Sequence, residues 1–303
     1  MKYINWALIF FLLALLMGCE NPKKEPENVP IKSSVLQIGL ITEHNIFTQK
    51  KRYAPLASYL SRQVGMNVKL KILSHYGDII VNFISNDLDG AFFGSFTGAL
   101  AIRKLSIEPL ARPEYRDGTS TYYGMIFTRK DSDIKSARDM QGKRFAFVDK
   151  ATTAGWLLPL HYFKEHEIDD YQAWFSETYF AGTHEDAIYD VLNGKADVGA
   201  AKSQVFYRLA EENPALIEEL TILATSPKVP ANALAVRPDL DENLKKRLKK
   251  ILLQMNHNAE GLQALKSLGA KRFIETTVDD YQPVFDFTDH LGLDLATYDY
   301  LNQ

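Results

Sequence analysis

Between Val35 and Gln303 the chain repeats one alternation: a short, almost wholly apolar run, then a stretch whose apolar residues recur at helical spacing. "VLQIGLI" (Val35 to Ile41) is apolar on both sides, as suits a strand covered by helices on two faces. Pro55 then opens a stretch in which Leu56, Ala57, Leu60 and Val64 share a helical face, and Gly65 stands where a helix stops. "NVKLKIL" (Asn67 to Leu73) reads as a strand, Ile79 to Ile84 as a helix, and "DGAFFG" (Asp89 to Gly94) as a short strand ending in a loop. This order predicts an α/β fold with a mainly parallel sheet.

The alternation restarts at Tyr122. "YYGMIFTRKDS" and "KRFAFV" read as strands, Leu157 to Phe163 and His184 to Gly194 as helices, "ADVGAA" as a buried strand, and "ELTILATSP" as an extended run. Another extended segment follows around Asn232 to Val236, then amphipathic helices from Asp241 to Leu268. Such an order predicts two α/β lobes, residues 35–122 with 229–303 and residues 123–228. The chain would cross between them near Tyr122 to Thr128 and near Leu223 to Val229. Ligands of open α/β sheets bind beyond the carboxyl ends of strands, so two facing lobes define one hinged cleft.

Ahead of this body, "MKYINWALIFFLLALLMG" (residues 1–18) carries a lysine near its start and then a continuous apolar stretch, the pattern of a secretory signal. It runs into Cys19, the single cysteine of the chain. "LLMGC" looks like a bacterial lipobox, in which the cysteine is lipidated; an uncleaved anchor or a plain export signal are the alternatives. No intrachain disulfide can form. "ENPKKEPENVPIKSS" is rich in Pro, Lys, Glu, Asn and Ser, a tether composition that reaches on the order of 50 Å when extended. The expected location is therefore outside the cytoplasm, anchored to a membrane as a lipoprotein, with residues 19–34 as leash. With 35 Lys and Arg against 38 Asp and Glu, the net charge of −3 supplies no footprint for nucleic acid.

"DKATTAGW" (Asp149 to Trp156) marks a strand-to-helix junction. Unpaired N–H groups at a helix start, the helix dipole and the hydroxyls of Thr152 and Thr153 would together suit an anion, and Gly155 would permit close backbone approach. The same residues also fit an ordinary N-cap. Pro159 is expected to kink the helix. "FFGSFTGAL" offers the same two readings at Ser95 and Thr97. His184 opens a helix, where a neutral, hydrogen-bonding imidazole is the physical default. Glu43 with His44, and His184 with Glu185, lack a third ligand at metal-site spacing, so neither metal nor cofactor is expected. No nucleophile elbow, phosphate loop, H-E-x-x-H or dinucleotide fingerprint occurs in the sequence.

Six landmarks occur in order: "SHYGDII", "FFGSFTGA", "YYGMIFTRKDS", "TTAGWLLP", "AGTHEDAIYDVLNGKADVGA" and "SPKVPANAL". On them the chain resembles, from about Leu36 to Leu253, the phosphonate, phosphite and phosphate ABC-transporter substrate-binding proteins, which have the type II periplasmic binding fold. The resemblance implies that Thr152, Thr153 and a backbone N–H near Ala154 hold oxyanion oxygens, helped by Tyr76, Tyr122 and His184, with Ser95 from the first lobe. Ala154 replaces a hydroxyl common in that cluster. Gln204 and Asn232 stand at the positions aligned with carboxylates that receive the ammonium of aminoalkylphosphonates. An amide cannot neutralise a buried cation. The implied ligand is therefore phosphite, phosphate, a small alkylphosphonate or another tetrahedral oxyanion, with any apolar group against Phe93, Phe96 or Trp156.

The function this implies is a lipid-anchored, monomeric binding protein that hands its oxyanion to an ABC permease and ATPase, without catalysis. Two other readings remain open on sequence: a ligand sensor for a membrane receptor kinase, and an enzyme on the same fold.

Overall fold

The computed structural model describes residues 35–85 and 87–302; the expected signal segment, Cys19 and the tether lie outside the described residues. Residues 35–303 form one compact unit containing two principal sheets.

In chain order the first half comprises β1 (Val35–Leu40), α1 (Ile46–Val64), β2 (Asn67–Ile72), α2 (Asp78–Ile84), β3 (Gly90–Phe93), α3 (Ser95–Leu105) and β4 (Glu108–Tyr115). Helix α1 starts nine residues before Pro55, not at it, because the Asn45 side chain accepts from Thr48 N–H and caps the earlier turn. Strand β4 escapes the sequence pattern because Pro109 and Pro113 lie within it and read as strand breakers.

A two-residue strand, β5 (Thr121–Tyr122), precedes the second half: β6 (Gly124–Arg129), β7 (Arg144–Phe147), α4 (Leu158–Glu165), α5 (Tyr171–Trp174), β8 (Glu177–Phe180), α6 (His184–Leu192), β9 (Val198–Lys202), α7 (Ser203–Glu212), α8 (Ala215–Glu219) and β10 (Leu220–Thr225). The chain returns through β11 (Val229–Pro230) to β12 (Ala233–Val236), α9 (Glu242–Leu253), α10 (Ala259–Leu268), β13 (Ala270–Glu275) and α11 (Gln282–His290).

The first sheet has the order β13-β4-β12-β3-β1-β2 and the second β10-β6-β9-β7-β8, while β5 and β11 pair antiparallel as a separate ribbon between them. Both sheets are mixed, where a mainly parallel sheet was expected. In the first, β1, β2 and β3 are parallel, and β12 returns antiparallel between β3 and β4. In the second, β7 is parallel to β8 and β9 while β6 runs against β9 and β10. Two of the reversed strands, β6 and β12, are those by which the chain enters the second lobe and returns to the first; the third is the edge strand β13, which runs antiparallel to β4.

Candidate oxyanion site

The carboxyl ends of β1, β3, β7, β8 and β9 all lead toward one small cavity between the lobes. It measures ≈ 10 Å³ and is lined by Glu43, Tyr76, Ser95, Phe96, Tyr122, Thr152, Thr153, His184 and Asn232, among others. That is room for about one water molecule.

The chain after β7 builds one wall. Asp149 organises it: its carbonyl accepts from the Thr152 N–H and hydroxyl, and its carboxylate accepts from Ala151 N–H at 2.8 Å and Tyr76 N–H at 3.3 Å. Burial pushes the Asp149 carboxyl up to about 6 against these donors. Residues Thr153–Leu157 then form a π-helical turn that runs into α4, with Pro159 in the first α turn, where its missing N–H costs nothing. The first N–H groups of this turn have no intrahelical acceptor. Gly155 does serve close approach, but to Val148 and not to the cavity: a Cβ there would lie 2.4 Å from the Val148 side chain.

The opposite wall is the start of α3. Ser95 Oγ lies 2.5 Å from Tyr122 OH and 2.6 Å from Thr153 Oγ1, so hydroxyls from the first lobe, the connecting ribbon and the second lobe meet at one point. The Tyr76 hydroxyl, on a residue 2% exposed, has no partner. Burial pushes the Tyr122 phenol up to about 12 and Tyr76 well above its ordinary value, so both remain protonated donors. His184 is buried; its Nδ1 accepts from Lys202 N–H at 3.3 Å, which leaves the proton on Nε2. Burial, reinforced by Lys202, pushes its pKa down to about 3 even though Glu43 pulls the other way. The imidazole is therefore a neutral donor.

Two of the sequence-derived residues stand elsewhere. Ala154 does not line the cavity; it packs against Gly124, where an added Cβ would lie 2.8 Å from the Ala154 Cα. Gln204 lines a neighbouring groove of ≈ 1060 Å³, its amide donating to the Thr121 carbonyl at 3.2 Å. Of the aromatics, Phe96 reaches the cavity, whereas Trp156 packs behind the turn on Phe147 and Phe180, with ring centroids 5.0 and 5.5 Å away.

Sequence reasoning missed an ion pair. Lys202 Nζ donates to Glu43 Oε1 at 2.6 Å and to Asn232 Oδ1 at 2.8 Å, and stands 4.3 Å from the Tyr122 ring centre. Burial raises the Glu43 carboxyl, but the Lys202 ammonium outweighs it and holds Glu43 far below the usual range, hence ionised. The signal was present: a lysine closing the wholly buried run "VGAAK" must find a partner.

Further contacts close the lobes on each other. Arg208 donates to His44 Nε2 at 2.8 Å, so the His44 proton sits on Nδ1 and donates to Glu185 Oε2 at 3.1 Å. Asn45 adds bonds to the same carboxylate. Burial holds the His44 pKa below 6.5. Closure thus favours the neutral ring, and acidification below pH 6.5 should weaken it, because a proton on Nε2 removes the acceptor and faces Arg208. Ligand affinity of the native protein is expected to fall there more steeply than that of His44→Gln, as measured by calorimetric titrations across pH. Parallel profiles would disprove the dependence on His44.

Among the described residues, the ligand atoms of His161, Glu165 and His290 lie within 4.8 Å of one another. None of the three lines the cavity.

Residues 38–281 match the family described as ABC transporter, phosphonate, periplasmic substrate-binding protein. The phosphonates-binding periplasmic protein of Escherichia coli (strain K12) is 24% identical over 80% of this chain and 73% of that protein. A probable ABC transporter phosphite binding protein of Prochlorococcus marinus (strain MIT 9301) is 25% identical over 82% of this chain and 87% of its own length. Among solved structures, a binding protein component of an ABC phosphonate transporter from Pseudomonas aeruginosa superposes with a TM-score of 0.78 at 25% identity, covering 84% of this chain and 85% of that one. The fold is also that of a Prochlorococcus marinus protein solved with methylphosphonate, at TM-score 0.76 and 23% identity, over 86% of this chain and 99% of that one. With its two lobes and the family match spanning both, this chain belongs to the periplasmic substrate-binding proteins of phosphonate ABC transporters.

Proposed function

We propose that the chain captures a small tetrahedral phosphorus oxyanion, such as phosphite, phosphate or a short alkylphosphonate, and delivers it to the permease of an ABC importer without transforming it. The observation that carries this reading is the meeting of the Ser95, Tyr122 and Thr153 hydroxyls from three parts of the chain, beside the unpartnered Tyr76 hydroxyl and the His184 donor. These are neutral donors set around a cavity too small for a large organic ligand. The similar protein named for phosphite binding, and the one solved with methylphosphonate, support the same ligand class. An oxyanion fits when the three hydroxyls turn from one another toward its oxygens and the lobes part slightly.

In this reading residues 35–122 with 229–303 form one lobe and 123–228 the other, hinged at the β5–β11 ribbon. Cys19 carries the lipid that anchors a monomer outside the cytoplasm. Thr152 and Thr153, Ser95, Tyr76, Tyr122 and His184 hold the ligand and Asn232 stands beside them, while Gln204 and Ala154 lie outside the cavity. Thr153→Val keeps the side-chain shape and removes the hydroxyl, and is expected to weaken binding by about 1–3 kcal/mol. Calorimetry with phosphite, phosphate and methylphosphonate tests this. Unchanged affinity for whichever binds would remove Thr153 from the site.

A further inference from the structure

Every polar side chain that lines the cavity can donate a hydrogen bond except one, Glu43. Glu43 is 6% exposed, and its Oε1 takes the Lys202 ammonium while Oε2 accepts no bond from the described residues. The ammonium, 2% exposed, is itself fully engaged by Glu43, by Asn232 Oδ1 and by the Tyr122 ring. Its bond to Asn232 also fixes the amide orientation, leaving the Asn232 NH₂ as one more donor. Lys202 therefore cancels the Glu43 charge without offering the ligand a cation.

We propose that the Glu43–Lys202 pair reads protons on the ligand: the unbonded Glu43 oxygen accepts from an O–H of the bound oxyanion, so the site admits tetrahedral oxyanions that carry a proton on oxygen and refuses those that carry none. This rests on the oxyanion reading of the cavity. A carboxylate has no proton to give, so facing a bare oxyanion oxygen it offers only lone pairs and like charge in a water-poor enclosure. Facing an O–H it forms a charge-assisted hydrogen bond. Lys202 makes this workable, since an unpaired Glu43 would either repel every anion or take up a proton and lose its discrimination. The same ammonium occupies Asn232 Oδ1, so that amide oxygen is not available to a cationic group on a ligand.

The test is calorimetry of the full-length protein with phosphate, methylphosphonate and sulfate across the second ionisation of methylphosphonate. Phosphate retains an O–H through this range, methylphosphonate loses its last one, and sulfate has none. Phosphate is expected to bind at least ~100-fold more tightly than sulfate, because a site built around a ligand hydroxyl strongly rejects analogues lacking it. Methylphosphonate affinity should fall about tenfold per pH unit above that ionisation, while phosphate affinity stays level. The double variant Glu43→Gln/Lys202→Met, which removes both charges together, should admit sulfate and lose the methylphosphonate pH dependence. Equal native affinities for sulfate and phosphate would overturn the proton reader while leaving the oxyanion site standing. So would a flat methylphosphonate profile, which needs no variant. Failure of all the phosphorus oxyanions to bind would overturn the site reading itself, and the proton reader with it.

Discussion

Lys202→Met should lower the unfolding free energy by about 3–5 kcal/mol, because removing one member of a buried ion pair strands the other charge. Glu43 is the stranded group, buried with no second cationic partner in bonding distance among the described residues. For a body of this size the loss corresponds to a fall in Tm on the order of 10 °C. Adding Glu43→Gln to Lys202→Met should restore most of it, since a neutral amide and a thioether carry no uncompensated charge. The sign of the coupling is the informative part: the double variant is expected to be more stable than Lys202→Met alone. Thermal denaturation of native, single and double variants measures it. Additive losses would mean that the pair is not coupled as its 2.6 Å separation requires.

Phe147→Ala should cost about 3–5 kcal/mol by opening a cavity behind the π-helical turn Thr153–Leu157. The Phe147 ring is 1% exposed and meets Trp156, Tyr171, Phe145 and Phe180 at centroid distances of 5.0, 5.5, 4.6 and 5.9 Å. Its carbonyl also accepts from Ala181 N–H at 2.8 Å, in the loop that leads to His184. Two parts of the cavity wall therefore hang on one strand end. The expected result is a loss of stability accompanied by weaker ligand binding at temperatures where the variant remains folded, read by denaturant titration and calorimetry. Phe147→Leu, which refills most of the volume, should recover much of both. Native affinity in a Phe147→Ala protein that has lost the expected stability would show that the turn holds its shape without that support.

What the sequence disclosed follows from how locally each feature is encoded. The junctions at Ser95, Thr153 and His184 were legible because a helix start after a strand is written in adjacent residues. That they converge was legible only through their order along the chain, since nothing in "DKATTAGW" states what faces it. Glu43 and Lys202 are 159 positions apart, and each alone reads as a charged residue beside an apolar run. Their pairing is a property of the closed lobes. Strand β4 was hidden for a different reason: its two prolines obey the rule for loops, while register shifts where β12 and β13 pair with it accommodate them in the sheet. The mixed sheets were likewise obscured, because an isolated extended segment does not reveal the direction in which it will pair.

The position of β12 bears on how the protein is made. The strands of the second sheet, between Gly124 and Thr225, are contiguous in sequence, so that sheet can assemble as soon as its residues are available. The first sheet cannot. Its strands β3 and β4 have no bond to each other until Ala233–Val236 inserts between them, more than a hundred residues later. During synthesis or export from the N-terminus, the earliest part of the body thus waits with two exposed strand edges while a later part completes itself. Unpaired edges of this kind recruit other chains. The interval before β12 arrives is the period in which this protein most needs a chaperone.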